Sequence, residues 1–275
     1  MRLKTKKENN LKKILLSVAV ATSVVIAAEP DLAKDDALVT HTELGYIETQ
    51  GNTRTQTFNL DANLKKGWGR HIYQVSFDGQ YASDKNVETK NKYSIELNYD
   101  YEFTDRFAFN YLVGFKKDRF SGYDYQAYTG PGAKYKAIKT ENHNLSLDGN
   151  ILFAQDDIED TQYDASGAVI EYPNAAETPV ATTVNGPVNN YSSYRAKAVY
   201  SWSILDNLKF NQDLSYRAEF NDSDNYFVTS KTALNSKISN IFSAGLSYKI
   251  DYINMQANGK EYTDRTFTAN LIIDY

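Results

Sequence analysis

Long stretches of apolar–polar alternation constrain the fold of this chain more than any other feature of its sequence. From Tyr93 to Phe103 every odd-numbered residue is apolar and every even-numbered residue is polar. Residues 57–64 and 145–151 alternate in the same way. Successive side chains of a β-strand point to opposite faces, so each stretch predicts a strand with one apolar and one polar face.

The alternating segments are also long. Most of them extend over about 11 to 14 residues, whereas soluble strands average about five or six and tilted membrane strands need about 9 to 11. The length favours an all-β fold consisting of a single transmembrane antiparallel up-and-down β-barrel over a soluble sandwich. We predict twelve strands, at 38–50, 53–65, 71–83, 92–103, 107–118, 123–138, 143–155, 191–204, 208–220, 226–238, 241–252 and 262–275.

The connections between these strands support the same fold. The links after the second, fourth, sixth, eighth and tenth strands are short, whereas those after the third, seventh and eleventh are longer. Outer-membrane barrels have short periplasmic turns and longer extracellular loops. An even strand number then places both termini in the periplasm and the longest connection, 156–190, outside the cell. The links after the first, fifth and ninth strands are short too, so the asymmetry is incomplete.

The first 28 residues have the pattern of a secretory signal peptide. Six basic residues precede an apolar run at 14–26, which is shorter than the roughly 20 residues of a membrane-spanning helix. Ala27 and Ala28 then offer a cleavage site. We therefore predict a cleaved signal peptide at 1–28, a short periplasmic segment at 29–37 and a barrel at 38–275.

Charge and cysteine content exclude several classes of protein. The signal peptide holds six of the 30 Lys and Arg residues and one of the 35 Asp and Glu residues, so the remainder has a net charge of −10. Such an acidic chain lacks the basic surface that binds nucleic acid. The absence of cysteine excludes a disulfide scaffold, a thiolate metal site and a lipidated N-terminal cysteine.

Aromatic residues at the predicted strand ends fit the two interfacial girdles of a membrane barrel. The chain also ends in alternation, and this resembles the C-terminal signal read by the barrel assembly machinery. The residues of that assembly signal are Phe267, Leu271, Ile273 and Tyr275. The expected girdle residues are Trp68, Phe103, Phe107, Trp202 and Phe210 at the periplasmic rim, and Tyr81, Tyr93, Phe120, Tyr123, Phe220 and Tyr226 at the outer rim.

Three stretches of the chain resemble a known family: residues 45–60, residues 118–132 with their Gly130-Pro131-Gly132 segment, and residues 245–249. They are similar to the YdiY-like salt-induced outer-membrane proteins, a family of unknown function. The resemblance covers most of 38–275 except 156–190. It implies a barrel in the Gram-negative outer membrane, in contact with lipid and lipopolysaccharide, and a link to salt stress. It supplies no catalytic residues.

The sequence contains little that suggests catalysis. None of the three histidines has metal-ligand spacing, and no G-x-S-x-G turn is present, so we expect no enzyme activity and no cofactor. By strand face, His71 points to lipid near the periplasmic rim and His41 points inward beside Glu43. The 156–190 connection is acidic and suits a solvated loop, divalent bridging to lipopolysaccharide phosphates, or Ca²⁺ binding. The candidate calcium ligands are Asp156, Asp157, Glu159 and Asp160.

The inward-facing charges are the best candidates for a functional site. Acidic and basic groups are predicted on opposite walls, either as the transverse field of a pore or as salt bridges that plug the lumen. Twelve strands lie between the eight that side chains fill and the sixteen that leave an open channel. We therefore expect a narrow pore for small polar or charged solutes. A closed structural or surface-binding barrel linked to envelope or osmotic stress is the alternative, and a barrel enzyme is a third. The predicted pore-lining residues are Asp61, Asp78, Glu96, Asp100, Arg195, Lys197, Lys209, Arg217 and Lys231.

Overall fold

The computed structural model describes residues 38–49, 55–170, 178–255 and 261–274. The predicted signal peptide and the 29–37 segment lie outside the described residues. The strands are β1 (Leu38–Thr49), β2 (Thr55–Trp68), β3 (His71–Asp84), β4 (Val87–Glu102), β5 (Phe107–Asp118), β6 (Tyr123–Lys139), β7 (His143–Ile158), β8 (Thr161–Tyr163), β9 (Thr182–Val184), β10 (Val188–Leu205), β11 (Leu208–Glu219), β12 (Tyr226–Lys237), β13 (Phe242–Ile253) and β14 (Thr263–Asp274).

Twelve of these strands close into an antiparallel barrel, which confirms the predicted fold. Each barrel strand pairs with the next along the chain, and β7 pairs with β10. The ring closes between β1 and β14, in register from His41 opposite Asp274 to Leu44 opposite Leu271. Strands β8 and β9 form a separate two-stranded hairpin.

In the described part of the chain, no helix is both long enough and apolar enough to cross a membrane.

The outer surface of the ring is apolar and its inner surface is polar. Ile151 and Phe267 are 64% and 63% exposed, whereas their neighbours Asn150 and Thr268 are buried. A soluble sandwich turns its apolar face inward, which is the opposite arrangement. The apolar exterior is that of a transmembrane barrel, in which side chains alternate between lipid and lumen.

Strand β4 begins five residues earlier than the sequence predicted. Lys85 and Asn86 form a two-residue turn with positive φ angles of 48° and 68°, the conformation that favours tight hairpins. The predicted longer link after the third strand is therefore wrong. The added part of β4 carries inward polar side chains, of which Lys90 donates a hydrogen bond to Thr266 Oγ1 at 3.1 Å.

The connection between β7 and β10 is shorter than the predicted 156–190 loop. Strand β7 continues to Ile158 and β10 begins at Val188, so both ends of the predicted loop belong to the barrel wall. Within the connection, β8 pairs with β9 from Thr161 opposite Val184 to Tyr163 opposite Thr182. The structure thus adds a hairpin that the sequence analysis did not predict.

Several predicted girdle residues are exposed at the strand ends, and Tyr123 is an exception. Trp68, Phe103 and Phe220 are exposed on the outside, as expected. Tyr123 is only 7% exposed, and its hydroxyl donates to the carbonyl of Met255 at 3.0 Å. The register of β6 shifts between Tyr123 and its second neighbour along the chain, which breaks the alternation. Tyr123 therefore turns inward, and its assignment to the girdle was wrong.

Candidate functional site

Charged and polar side chains on the inner face surround a cavity of about 1240 Å³. Eight of the nine predicted pore-lining residues line this cavity; the exception is Lys209, near the start of β11. The inner face divides into two regions. We call the inner faces of β1–β3 and β12–β14 the paired half. We call those of β4–β7, β10 and β11 the cavity half, because they supply most of the cavity lining, although the cavity borders both halves.

In the paired half, lysines of one arc contact carboxylates of the other across the lumen. Lys231 on β12 donates to Asp61 on β2 at 2.5 Å and to Glu43 on β1 at 3.1 Å. Lys249 on β13 donates to Asp78 on β3 at 2.8 Å. Each of these pairs joins strands that are three or four positions apart in the ring. The paired half is therefore closed by ion pairs.

Lys92 extends this network to β4. Its ammonium group lies 2.8 Å from Asp251 on β13 and 3.0 Å from Asp264 on β14, and its side chain is only 3% exposed. Lys249 lies 3.8 Å from the same Asp251. A buried ammonium group with two carboxylate partners avoids the desolvation penalty of an unpaired charge. Lys92 thus marks the boundary of the paired half.

His41 lies at the closure of the ring. Its Nε2 is 3.0 Å from Glu43 Oε1 and its Nδ1 is 2.5 Å from Asp274 Oδ1, so it joins β1 to the end of β14. The predicted inward position beside Glu43 is confirmed. His71 hydrogen-bonds the Tyr99 hydroxyl at 2.8 Å and packs edge-on against Tyr101, on the outer face of the barrel near the short-turn end. The predicted lipid-facing position of His71 is also confirmed.

In the cavity half, Glu96 is the main acidic group at mid-lumen. Arg195 donates to Glu96 Oε1 at 3.0 Å, and the Tyr128 hydroxyl donates to the same oxygen at 2.6 Å. The Tyr128 ring lies directly over Gly114, where a Cβ would fall 2.2 Å from a ring carbon. Glycine at 114 therefore makes room for the tyrosine that holds Glu96.

Asp100 forms a second carboxylate cluster nearer the short-turn end. It pairs with Lys134 and accepts a hydrogen bond from Asn110 Nδ2 at 2.5 Å. Asn110 in turn accepts from Asn150 Nδ2 at 2.7 Å, across the intervening strand β6. That contact passes over Gly132, where a Cβ would lie 2.3 Å from Asn150 Nδ2. The glycine at 132 therefore permits a buried polar contact between β5 and β7.

The cavity opens at the end of the barrel that has short turns. Its lining includes the turn residues Arg106, Thr140 and Glu141, all of which are exposed. At the other end it reaches Phe227 and Gln126. The cavity is therefore a vestibule that is open to solvent at one end of the barrel.

Beyond the cavity, a layer of buried side chains fills the lumen toward the long-loop end. Tyr191 donates to Asp156 Oδ2 at 2.7 Å, and Gln126 Nε2 donates to Asp156 Oδ1 at 3.1 Å. Tyr123 packs edge-on against Phe227, with ring centroids 6.4 Å apart. Tyr123 and Tyr191 are both more than nine-tenths buried. We call this group the tyrosine layer.

The predicted acidic and basic walls are brought together by direct contacts. Glu96 contacts Arg195, and Asp61 contacts Lys231. The sequence left open either a transverse field across a pore or salt bridges within the lumen, and these two pairs form salt bridges. Lys197 is different: its nearest carboxylate, Asp213, lies 4.0 Å away. The sequence analysis missed several partners, although the same alternation places them inward: Glu43, Lys92, Lys134, Lys249 and Asp251.

The four candidate calcium ligands do not gather around one point. Asp156 is buried in the tyrosine layer, whereas the Asp160 carboxylate accepts from the amide of Gly186 at 2.9 Å. The described residues contain no group of three or more acidic or histidine side chains suited to hold a metal ion. Farther along, Ser166 and the amide of Ala168 donate to Asp164, which lowers the pKa of that carboxyl. The described part of the loop thus gives no support to a calcium site.

The proposed assembly signal lies on the closing strand β14. Phe267 and Leu271 are exposed on the outer face of the barrel, as the alternation predicts. Ile273 pairs with Phe242 on β13. Tyr275 lies outside the described residues.

Comparison with protein-family models assigns nearly all of the predicted barrel to one family. The model of the DUF481 family, described as a protein family of unknown function, matches residues 42–275. The chain belongs to the DUF481 family. That match confirms the family resemblance recognised in the sequence. No curated protein matches the chain.

Solved barrels share the general architecture at low identity. The NanC porin is 14% identical with a TM-score of 0.46, over 87% of this chain and 100% of its own. An outer-membrane channel from Pseudomonas putida F1 is 10% identical with a TM-score of 0.47, over 92% of this chain and 100% of its own. The translocator domain of the autotransporter NalP from Neisseria meningitidis is 9% identical with a TM-score of 0.43, over 98% of this chain and 95% of its own. At these values no property of those proteins transfers to this chain.

Proposed function

We propose that this protein is an outer-membrane channel that admits small polar or charged solutes through its cavity half. The observation that carries the proposal is the cavity of about 1240 Å³, which is lined by charged and polar side chains inside an apolar-faced barrel. A cavity of that size holds a small solute together with its water. Its charged lining favours polar or ionic solutes over apolar ones.

The route is narrow and, in this structure, closed at one end. Solutes reach the cavity from the short-turn end, which faces the periplasm in our proposal. The tyrosine layer blocks the other end, so passage requires Tyr123 and Tyr191 to move. Parts of a protein that are held by few contacts open most readily. The Tyr123 hydroxyl is held to the β13–β14 connection by one hydrogen bond, so this side chain is the expected moving part.

A closed structural barrel linked to envelope or osmotic stress is the second candidate. The observation that favours it is the paired half, where ion pairs cross the lumen. A barrel of this kind stabilises the membrane without passing solutes. Both candidates are non-enzymatic, and both place the protein in the outer membrane with periplasmic termini. There it would contact lipid and lipopolysaccharide after insertion by the barrel assembly machinery.

Conductance across planar bilayers separates the two candidates. We expect the refolded wild-type barrel to give small, brief current steps, and Tyr123→Ala to give larger or longer ones because it removes the plug side chain. Tyr125→Ala is the matched control, since Tyr125 stacks on Phe115 with centroids 5.8 Å apart and lies away from the cavity. If neither the wild type nor Tyr123→Ala passes current, the closed barrel is correct.

Assembly and location have their own test. Deletion of Tyr275 is expected to reduce insertion into the outer membrane more than export, because the aromatic end belongs to the proposed assembly signal. Membrane fractionation and the mobility shift of unboiled barrel on a gel report the result. Normal outer-membrane levels of the shortened chain would contradict the assembly role.

A further inference from the structure

One side chain in the cavity is buried with its charge uncompensated. Arg217 on β11 is only 7% exposed and lines the cavity. Its Nη1 is buried with no hydrogen-bond partner, and within the described residues its guanidinium forms no ion pair. A buried charge without a partner carries a large desolvation penalty.

The nearby carboxylates on the inner face are engaged elsewhere. Glu219, two residues along the same strand, accepts a hydrogen bond from Asn225 at 2.9 Å. Both oxygens of Asp156 are bonded, one to Gln126 and one to Tyr191. Neither carboxylate forms an ion pair with Arg217 within the described residues.

A second arginine stands directly beside the first. Arg195 on β10 is the register partner of Arg217 on β11, so both guanidinium groups lie on the same inner face. Like charges directly opposite on paired strands destabilise a sheet. Arg195 bonds Glu96 through one terminal nitrogen, while its Nε is buried without a partner. Of the two arginines, only Arg195 contacts a carboxylate, and each keeps a buried nitrogen without a partner.

Aromatic rings fix the orientation of the unpaired guanidinium. The Arg217 Cζ lies 4.2 Å from the Phe227 ring centroid and 4.8 Å from that of Tyr128. Stacking on aromatic faces holds the planar fork without using its N–H donors. Nη1 remains without a partner, and a guanidinium fork presents the geometry that carboxylate and phosphate groups match.

We infer that Arg217 and Arg195 form a binding subsite for the oxyanion group, carboxylate or phosphate, of a small solute in the cavity. The subsite lies at the inner side of the tyrosine layer, where a solute entering from the short-turn end would stop. The inferred subsite extends the proposed channel function, and it depends on that function only for the route by which the solute enters.

Equilibrium binding tests the subsite separately from transport. Titration calorimetry on the refolded barrel at low salt uses inorganic phosphate and gluconate as probes, with glucose as the neutral match for gluconate. We expect the wild type to bind at least one anion and not glucose, and binding of one anion alone would identify the preferred group. Arg217→Gln should weaken that binding at least about tenfold, since it removes a charge-assisted bidentate contact. Arg265→Gln, which makes the same change on an exposed residue of β14, should bind as the wild type does.

The outcomes distinguish the subsite from the channel. Binding without any bilayer current would leave the subsite intact and remove the channel, whereas current without anion binding would remove the subsite alone. Equal anion binding by the wild type and Arg217→Gln would also overturn the inference. A second measurement uses stability: Arg217→Met should unfold at the same temperature as the wild type or higher, because it removes an unpaired buried charge. A marked fall would show that the guanidinium is a structural element, and would overturn the inference.

Discussion

The two halves of the lumen differ in how completely their buried charges are paired. In the paired half each principal lysine has carboxylate partners at hydrogen-bond distance, as Lys231 has in Glu43 and Asp61. In the cavity half Lys197 lies 4.0 Å from its nearest carboxylate, and Arg217 has an unpaired buried nitrogen. The cavity, rather than a partner residue, lies in front of these two groups.

The difference follows from where water remains. A charge removed from water requires a partner, whereas a partly exposed charge beside the cavity, such as Lys197, keeps contact with solvent; Arg217 is the exception, because it is buried and has no partner. The paired half therefore stabilises the closed ring, and the cavity half retains charges that can act on a solute. Substitutions of the same chemical type in the two halves test this division.

The largest effect is expected for Lys231→Gln. The substitution leaves Glu43 and Asp61 close together without their shared cation, which should lower the free energy of unfolding by about 3–5 kcal/mol. Urea unfolding of the barrel in detergent micelles measures the loss. A loss below about 1 kcal/mol would mean that water already solvates the paired half.

The matched substitution in the cavity half is Lys197→Gln. Its nearest carboxylate lies 4.0 Å away, beyond hydrogen-bond distance, so we expect the free energy of unfolding to change by only about 0–1 kcal/mol. The same urea titration gives the comparison. Equal losses for the two lysine variants would erase the distinction between the halves.

A smaller loss of stability than that of Lys231→Gln is expected when a side chain is added at Gly132 on β6, in the cavity half. A Cβ at Gly132 would lie 2.3 Å from the Gly149 carbonyl oxygen as well as from Asn150. Gly132→Ala should therefore destabilise the barrel by about 1–3 kcal/mol through overpacking. Gly149→Ala is the control, because a Cβ there meets nothing within 4 Å. If both alanine variants unfold like the wild type, β6 does not need its glycine for the Asn110–Asn150 contact.

The last comparison concerns current rather than stability and uses Lys197→Glu. Reversing this charge in the cavity should shift permeability toward cations, and the shift should shrink at high salt as screening increases. Reversal potentials in a KCl gradient report it. Lys66→Glu, an exposed residue of β2 that does not line the cavity, is the control. An unchanged reversal potential for Lys197→Glu would place the ion path elsewhere.

The fold was largely predictable because alternation is a local property. The twelve barrel strands and the inward faces of Asp61, Glu96 and Arg195 follow from a two-residue period that each segment carries by itself. The errors arose where local rules are broken. The register shift at Tyr123 reverses its side chain, and the tight turn at 85–86 extends β4 beyond its apolar pattern.

The pairing inside the lumen was much less predictable. Alternation shows that Lys231 and Lys249 point inward, but it does not show which carboxylates they meet, since that depends on strand order and tilt around the closed ring. Sequence reasoning therefore produced two walls, whereas the structure joins them through Glu43, Asp78 and Asp251. The unpaired state of Arg217 likewise depends on contacts that only the folded ring defines.

Cysteine accessibility tests the division of the lumen most directly, because the chain contains no cysteine of its own. Ser215 lines the cavity, whereas Ser247 is 5% exposed and hydrogen-bonds Thr268 at 2.7 Å in the paired half. A charged methanethiosulfonate reagent should modify Ser215→Cys in the folded barrel and reduce its current. It should modify Ser247→Cys only after unfolding. Equal rates for the two folded variants, or no reaction with Ser215→Cys, would contradict a water-filled cavity beside a paired half.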